Sequence, residues 1–269
     1  MTGLLPEAAD LERRFGGLAR LYGPAGARRI RQAHAVVVGL GGVGSWAAEA
    51  LARSGVARLT LIDLDHISES NINRQLHALD NTLGQSKVQA MRERIRLINP
   101  DCEVVCVEEF VDIINWPQIA GLDVLNDEAP LAVLDACDQV RAKTAMAAWA
   151  MAHGVNFISA GAAGGKRHAH RVDIEDLALT THDPLLAQLR YRLRKEQGAA
   201  RTGKIGVACV FSREAVMPPD ASCKVDAASD GSLNCHGYGS VVTVTASFGL
   251  CAAGWLLDKI ALGSQSAKK

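Results

Sequence analysis

At 269 residues and 48% hydrophobic content, the chain is long enough to build one large or two small domains around a buried core. Lysine plus arginine equals aspartate plus glutamate at 29 each, which excludes a global basic field and leaves only local patches to meet a polyanion. The opening MTGLLPEAADLERRF carries acidic residues and no continuous apolar core, so it does not read as a signal peptide and the expected compartment is the cytoplasm.

In chain order, a short basic helix is expected over about residues 4–20, followed by HAVVVGL (34–40), a β-branched run typical of a buried strand. GLGGVGSWAAEALARSG (39–55) passes from glycine punctuation to alanine-rich helical spacing that stops at Gly55. A second buried strand, ARLTLIDLD (57–65), ends in two carboxylates, and the polar HISESNINRQLHAL (66–79) reads as irregular. SKVQAMRERIRLINP (86–100) is a helix that ends before Pro100. EVVCVEEFV, LAVLDACD and NFISAGA supply three further strands, the last two joined by the helix VRAKTAMAAWAMAHG.

Strands alternating with helices at this spacing predict an α/β fold, a Rossmann-like, mostly parallel sheet with helices on both faces and right-handed crossovers. Three regions are expected: a helical arm over 1–30, a nucleotide-binding domain over 31–165, and a substrate-facing extension over 166–269 packed on the same core. The uncharged run Tyr238–Leu257 is about as long as a bilayer requires. Its Gly, Ser, Thr and Ala content and its lack of aromatic or basic flanks favour a core or subunit-interface helix.

Gly39, Gly41 and Gly44 form GxGxxG between a strand and a helix, where bare backbone lets phosphate reach unpaired N–H groups. With Asp63 and Asp65 at the end of the next strand, the same pattern also suits a nicotinamide dinucleotide enzyme. The residues that follow favour a triphosphate. Asn71, Arg74 and Gln75 lie at the sheet's carboxyl edge, Lys87 begins the next helix, and two cations in one crevice match the larger charge. Asp138, leaving the fourth strand at the same edge, is placed to hold magnesium against the phosphates. Singly, Arg74 and Lys87 read as solvated charges and Asp138 as a helix N-cap; together they read as a site.

The run GLGGVGS, LIDLD, SxxNxNRQ, GQSK and DACD resembles the adenylating domain of the ubiquitin-activating-enzyme superfamily, over about residues 13–165. That resemblance implies that Gly39, Gly41, Gly42 and Gly44 wrap the phosphates of ATP, Asp63 binds the ribose with Asp65 beside it, and Asn71, Arg74 and Lys87 contact the triphosphate. It further implies Mg2+ held by Asp138 and a homodimer in which an N-terminal arginine acts on the partner's site, Arg14 here with Arg20 in reserve. The helix departs from the RYxRQ pattern usual at that position.

No CxxC pair and no separate cysteine domain accompany these motifs; the seven cysteines are irregularly spaced, and no zinc is expected. RFGGLARLYG, AGAAGGK, DLALTTHDPLLAQLRYRLR and GKIGVACVFSRE are instead similar to a tRNA-modifying branch of the superfamily. That branch implies adenylation of the carboxylate of a threonylcarbamoyl-modified adenosine beside the anticodon, then cyclisation with net loss of water. The alternatives are adenylation of a small sulfur-carrier protein, with a sulfur-transfer protein as partner, and a non-catalytic dinucleotide-binding module.

A tRNA substrate needs a basic surface, for which Arg190, Arg192, Arg194, Lys195, Arg201 and Lys204 stand against Glu196, with Tyr191 as a stacking candidate. Lys166, Arg167, His168, His170 and Arg171 form a second basic cluster. No histidine spacing suggests a metal site. Cys209, Cys223 and Cys235 are candidate acceptor thiols without a visible activating base, and Cys137 is expected to pack beneath the nucleotide with its thiolate disfavoured by Asp135 and Asp138.

Overall fold

The computed structural model describes residues 9–125, 129–220, 222 and 238–263. Cys223 and Cys235 lie outside the described residues, as does the start of the expected N-terminal helix. Helices α1 (Leu11–Phe15) and α2 (Gly17–Gln32) lead into β1 (His34–Val38), α3 (Gly44–Arg53) and β2 (Arg58–Ile62). Next come α4 (Lys87–Ile98), β3 (Glu103–Val107), β4 (Leu131–Asp135), α5 (Val140–His153) and β5 (Asn156–Ala160). The chain then adds β6 (Val172–Asp176), α6 (Pro184–Glu196), β7 (Ala208–Ser212) and α7 (Val242–Leu262).

These strands form one seven-stranded sheet in the order β3-β2-β1-β4-β5-β7-β6. The first six of that order run parallel, and β6 pairs antiparallel with β7. Successive β1 residues serve opposite faces, as a pleated strand requires. Ala35 and Val37 join a core with residues of α2, α3, α4 and α7, while Val36 and Val38 join one with residues of α5 and α6. Burial on both faces explains why the strand sequences are apolar without alternation.

Two sequence expectations change here. The N-terminal helical run continues to Gln32 because Gly23, at φ +71°, only breaks it and Pro24 restarts it with a preset φ. β6, VDIED, did not read as a strand: it is a half-buried edge with three acidic residues, and only its pairing with β7 makes it one.

The long apolar segment is α7, and Val244, Phe248, Ala252, Leu256 and Ile260 on it are all fully buried. It packs against α2 and α3 over the sheet, so its apolar character is that of a core helix.

Candidate nucleotide site

The chain builds β1, β2 and β3 outward on one side and then returns to place β4 against the other side of β1. This reversal opens a crevice at the carboxyl ends of β1 and β4, where doubly wound sheets bind ligands. A cavity of about 630 Å³ lies there, reached by Val38, Ile62, Ala136 and Ala160. The structure brings Gly39, Gly41, Gly42, Asp63, Asp65, Asn71, Arg74, Lys87 and Asp138 together around it.

The glycines are required for different reasons. Gly39 sits at φ +84°, and a Cβ there would lie 2.9 Å from the Ala136 carbonyl group. A Cβ on Gly44 would fall 1.8 Å from the Gly39 carbonyl oxygen, so the helix can start this close to the strand only without a side chain. At Gly41 a Cβ would meet nothing within 4 Å, which leaves open space on the cavity side. Val43 provides no side-chain cap for α3; the Ser45 amide is taken by the Gly41 carbonyl, and the positive end of the helix suits an anion.

Loop and lysine converge on the carboxylates of β2. Asp63 accepts hydrogen bonds from the Leu40 amide at 2.6 Å and the Asp65 amide at 2.9 Å. Lys87 Nζ is 2.7 Å from Asp65 Oδ2 and 3.9 Å from Asp63 Oδ1. Burial pushes the Asp63 carboxyl above its ordinary range, while Lys87 and the two amides pull it back. Lys87 itself is only 5% exposed, so its charge is poorly screened and faces a confined space.

Asn71 closes a single helical turn by accepting from the Ser68 amide at 3.1 Å, and Arg74 Nη1 donates to the Ser70 carbonyl at 2.6 Å. This segment is held from α3 by two contacts that local sequence patterns do not reveal. Ser45 Oγ donates to the Gly41 carbonyl and accepts from the Leu76 amide, while Trp46 Nε1 donates to the Arg74 carbonyl at 3.0 Å. Removing the indole donor in Trp46→Phe is expected to lower turnover about 3–10-fold, the effect of one hydrogen bond, with little change in thermal midpoint; steady-state kinetics at saturating ATP reads this.

Asp138 is half-buried on the opposite wall, its nearest side-chain partner being Gln139 Nε2 at 3.5 Å. Cys137 donates its thiol to Asp135 at 3.1 Å, and burial followed by that carboxylate pushes the thiol well above its ordinary range. Cys209 lies in β7 with no exposure, and burial raises its thiol likewise; this removes it from the acceptor candidates. Arg141 also lines the cavity, and its place one turn after DACD was the only sequence signal for it. Arg14 lies elsewhere: its Nη1 donates to the Ile98 carbonyl at 2.7 Å, at the end of α4.

The basic cluster divides. Lys166 is 2% exposed and donates to the His182 and Glu214 carbonyls, so it is a structural cation and not a surface contact. Arg190 Nη1 donates to the Leu177 and Thr180 carbonyls and to Thr180 Oγ1, which commits it to bracing the segment before α6. Arg192 pairs with Glu196 at 2.9 Å and Arg194 donates to the Ala200 carbonyl at 3.1 Å. Lys195, Arg201 and Lys204 are exposed, with the Lys195 ammonium 5.5 Å from the Tyr191 ring.

His77 is 2% exposed, and among the described residues neither ring nitrogen has a hydrogen-bond partner. Burial, reinforced by Lys87, lowers its pKa to about 4; burial and Arg58 do the same to His34. An unfolded histidine titrates near 6.5, so below that pH the unfolded chain takes up protons the fold refuses. Stability is therefore full above about pH 6.5 and is lost as pH falls toward 4, at up to about 1.4 kcal/mol per pH unit for each histidine. Urea midpoints between pH 7 and 4.5 read the slope, which His77→Leu is expected to roughly halve.

The profile of the ThiF family matches residues 14–268. The chain is 42% identical to the tRNA threonylcarbamoyladenosine dehydratase of Escherichia coli (strain K12) over 92% of its length and 93% of that protein's. It is 41% identical to the Haemophilus influenzae protein of the same name over 93% and 94% of the two chains. The crystal structure of the Escherichia coli enzyme in complex with ATP superposes with a TM-score of 0.81 at 41% identity, covering 94% of this chain and 96% of that one.

Proposed function

The chain belongs to the ThiF family, and we propose that it uses ATP to adenylate the carboxylate of N6-threonylcarbamoyladenosine in tRNA and closes that group into a ring with net loss of water. The observation that carries this reading is the crevice itself, in which an open glycine loop, two carboxylates, Arg74 and buried Lys87 surround a volume suited to a nucleotide.

The threonyl carboxylate oxygen attacks the α-phosphorus of ATP and pyrophosphate leaves with the broken P–O bond. A neighbouring nitrogen or oxygen of the same side chain then attacks the acyl carbon, and AMP departs. The oxygen lost from the carboxylate leaves on AMP, so the nucleoside loses one water while ATP becomes AMP and pyrophosphate. The protein's task is positioning and charge stabilisation around the α-phosphorus, since ring closure is intramolecular. Lys87, Arg74 and the glycine-loop amides stabilise charge on the phosphates, Asn71 contacts them, and Asp63 takes the ribose hydroxyls with Asp65 beside it.

Magnesium would be held between the phosphates and the half-buried Asp138 carboxylate, which lines the cavity. When bound, it would neutralise charge on the departing pyrophosphate. A homodimer is part of the proposal, with an N-terminal arginine reaching the partner's site; Arg14 would have to leave the Ile98 carbonyl, whereas Arg20 is exposed on α2. The reaction balances without sulfur, so a sulfur-transfer protein would dock for a separate purpose. The enzyme works in the cytoplasm, with residues 166–269 as the substrate-facing extension.

The tRNA backbone is taken by the exposed face around Lys195, Arg201 and Lys204, with Arg192 and Arg194 at its edge. Purified protein is incubated with ATP, magnesium and tRNA bearing the threonylcarbamoyl group, and the digested nucleoside is weighed. Loss of one water supports the reading; an unchanged mass with ATP–pyrophosphate exchange driven by a small carrier protein would replace it. Charge reversal at Lys195, Arg201 and Lys204 is expected to raise KM for tRNA about tenfold or more and to flatten its salt dependence.

A further inference from the structure

The cavity has two sides. The glycine loop, Asp63 and Lys87 form the β1–β2 side, while the loop from Ala160 to Gly164 and Leu185 of α6 form the other. Between Ala160 and Gly164 that wall offers only backbone and small apolar groups, so the shape of this stretch must come from how the loop is held.

One side chain holds it. Asp183 is 6% exposed and precedes α6; its Oδ1 accepts from the Leu186 amide at 3.0 Å, capping the helix. Its Oδ2 accepts from the Ala162 amide at 2.9 Å, in the cavity wall. A Cβ on Gly161 would lie 2.1 Å from that same Oδ2, so loop and carboxylate are fitted to each other without slack. On the flank, Lys166 Nζ donates to the His182 carbonyl at 3.0 Å, and His182 sits at φ +56°, a backbone conformation uncommon for a residue with a side chain. Strain of this kind persists where surrounding contacts over-determine it.

We propose that Asp183 is a positioning residue for the second substrate: it locks the 160–166 loop to the start of α6, so that the helix leading into the basic face and the wall facing the reacting carboxylate move as one body. This rests on the tRNA reading above. Nucleotide binding belongs to the opposite wall and does not depend on the lock. Docking of the tRNA on α6 would then fix the carboxylate relative to ATP, and in such alignment a displacement of about 1 Å can cost about 100-fold.

The test is Asp183→Ser in the full-length enzyme. Serine retains the helix cap but is too short to reach the Ala162 amide. The expected result is ATP binding within about twofold of wild type, with kcat/KM for tRNA dehydration down about tenfold or more. Equal losses in ATP binding and dehydration, or no loss in either, would overturn the inference. Should Asp183→Ser fold poorly, Gly161→Ala disturbs the same joint from the loop side and is expected to give the same split. In the double variant the alanine methyl no longer meets the carboxylate, so Gly161→Ala is expected to cost less there than in wild type; additive losses would count against the lock. A wild-type enzyme that makes no cyclised nucleoside removes the reading and the inference together, whereas an active wild type matched by Asp183→Ser removes the inference alone.

Discussion

Replacing Lys87 by alanine is expected to lower the rate of dehydration by about 10²–10³-fold, the scale seen when one preorganised charge is removed from a developing anion. The magnitude follows from placement. Lys87 is 5% exposed at the first position of α4 and lies against Asp65 and, at longer range, Asp63. A surface lysine would be screened and replaceable by water or salt, whereas this one acts in a confined space where electrostatic effects are larger. Its removal also leaves two carboxylates facing a polyanion, so ATP affinity should fall along with turnover. Lys87→Arg is not expected to restore the rate, because a planar fork does not fill the place of a compact ammonium held between Asp65 and the cavity. Thermal midpoints near wild type, with product measured by mass spectrometry under single-turnover conditions, separate loss of chemistry from loss of fold. A Lys87→Ala enzyme that turns over at more than a tenth of the wild-type rate would remove the lysine from the charge-stabilising set.

How far the sequence foretold this site depends on whether the signal is local. The glycine spacing, the carboxylates ending LIDLD and the lysine after GQS are each set by a short local segment, and the fold gathers Gly39, Gly41, Gly42, Asp63, Asp65 and Lys87 at one cavity. β1, β2, β4 and β5 were legible because strands buried on both faces are short apolar runs, and β3, a half-buried edge, was legible from its valine-rich run EVVCV. What failed to show is long-range. A lysine in a basic run looks solvated until Glu214 and His182, from distant segments, take Lys166 inside. Arg190 reads as part of a charged face although the turn before α6 occupies its guanidinium. Trp46 fits helical core spacing, yet its ring nitrogen reaches Arg74, 28 residues away. β6 does alternate, with Val172 and Ile174 packed against the core and Asp173 and Glu175 between and after them, but two apolar residues among three acids are too short a pattern to read as a strand without its partner β7.

The largest stability effect is expected beneath the site, where sequence gave least warning. Lys143 and Asp135 are both fully buried and 3.0 Å apart. Lys143 Nζ also donates to Ser159 Oγ and the Ala160 carbonyl, and Ser159 Oγ donates to the same Asp135 oxygen at 2.6 Å. Burial works to lower the Lys143 pKa, but Asp135 and its neighbours outweigh it and leave the lysine raised and charged. The other Asp135 oxygen accepts from the Cys137 amide and thiol, which shapes the turn that delivers Asp138 to the cavity. Lys143→Met fills similar volume yet leaves an uncompensated buried carboxylate, and is expected to cost about 3–5 kcal/mol in urea unfolding. Adding Asp135→Asn removes the orphaned charge and should recover much of the stability, while turnover stays low because the turn before Asp138 has lost its ionic anchor. A double variant as unstable as Lys143→Met would mean that packing around the lysine stem, and not the paired charge, carries the loss.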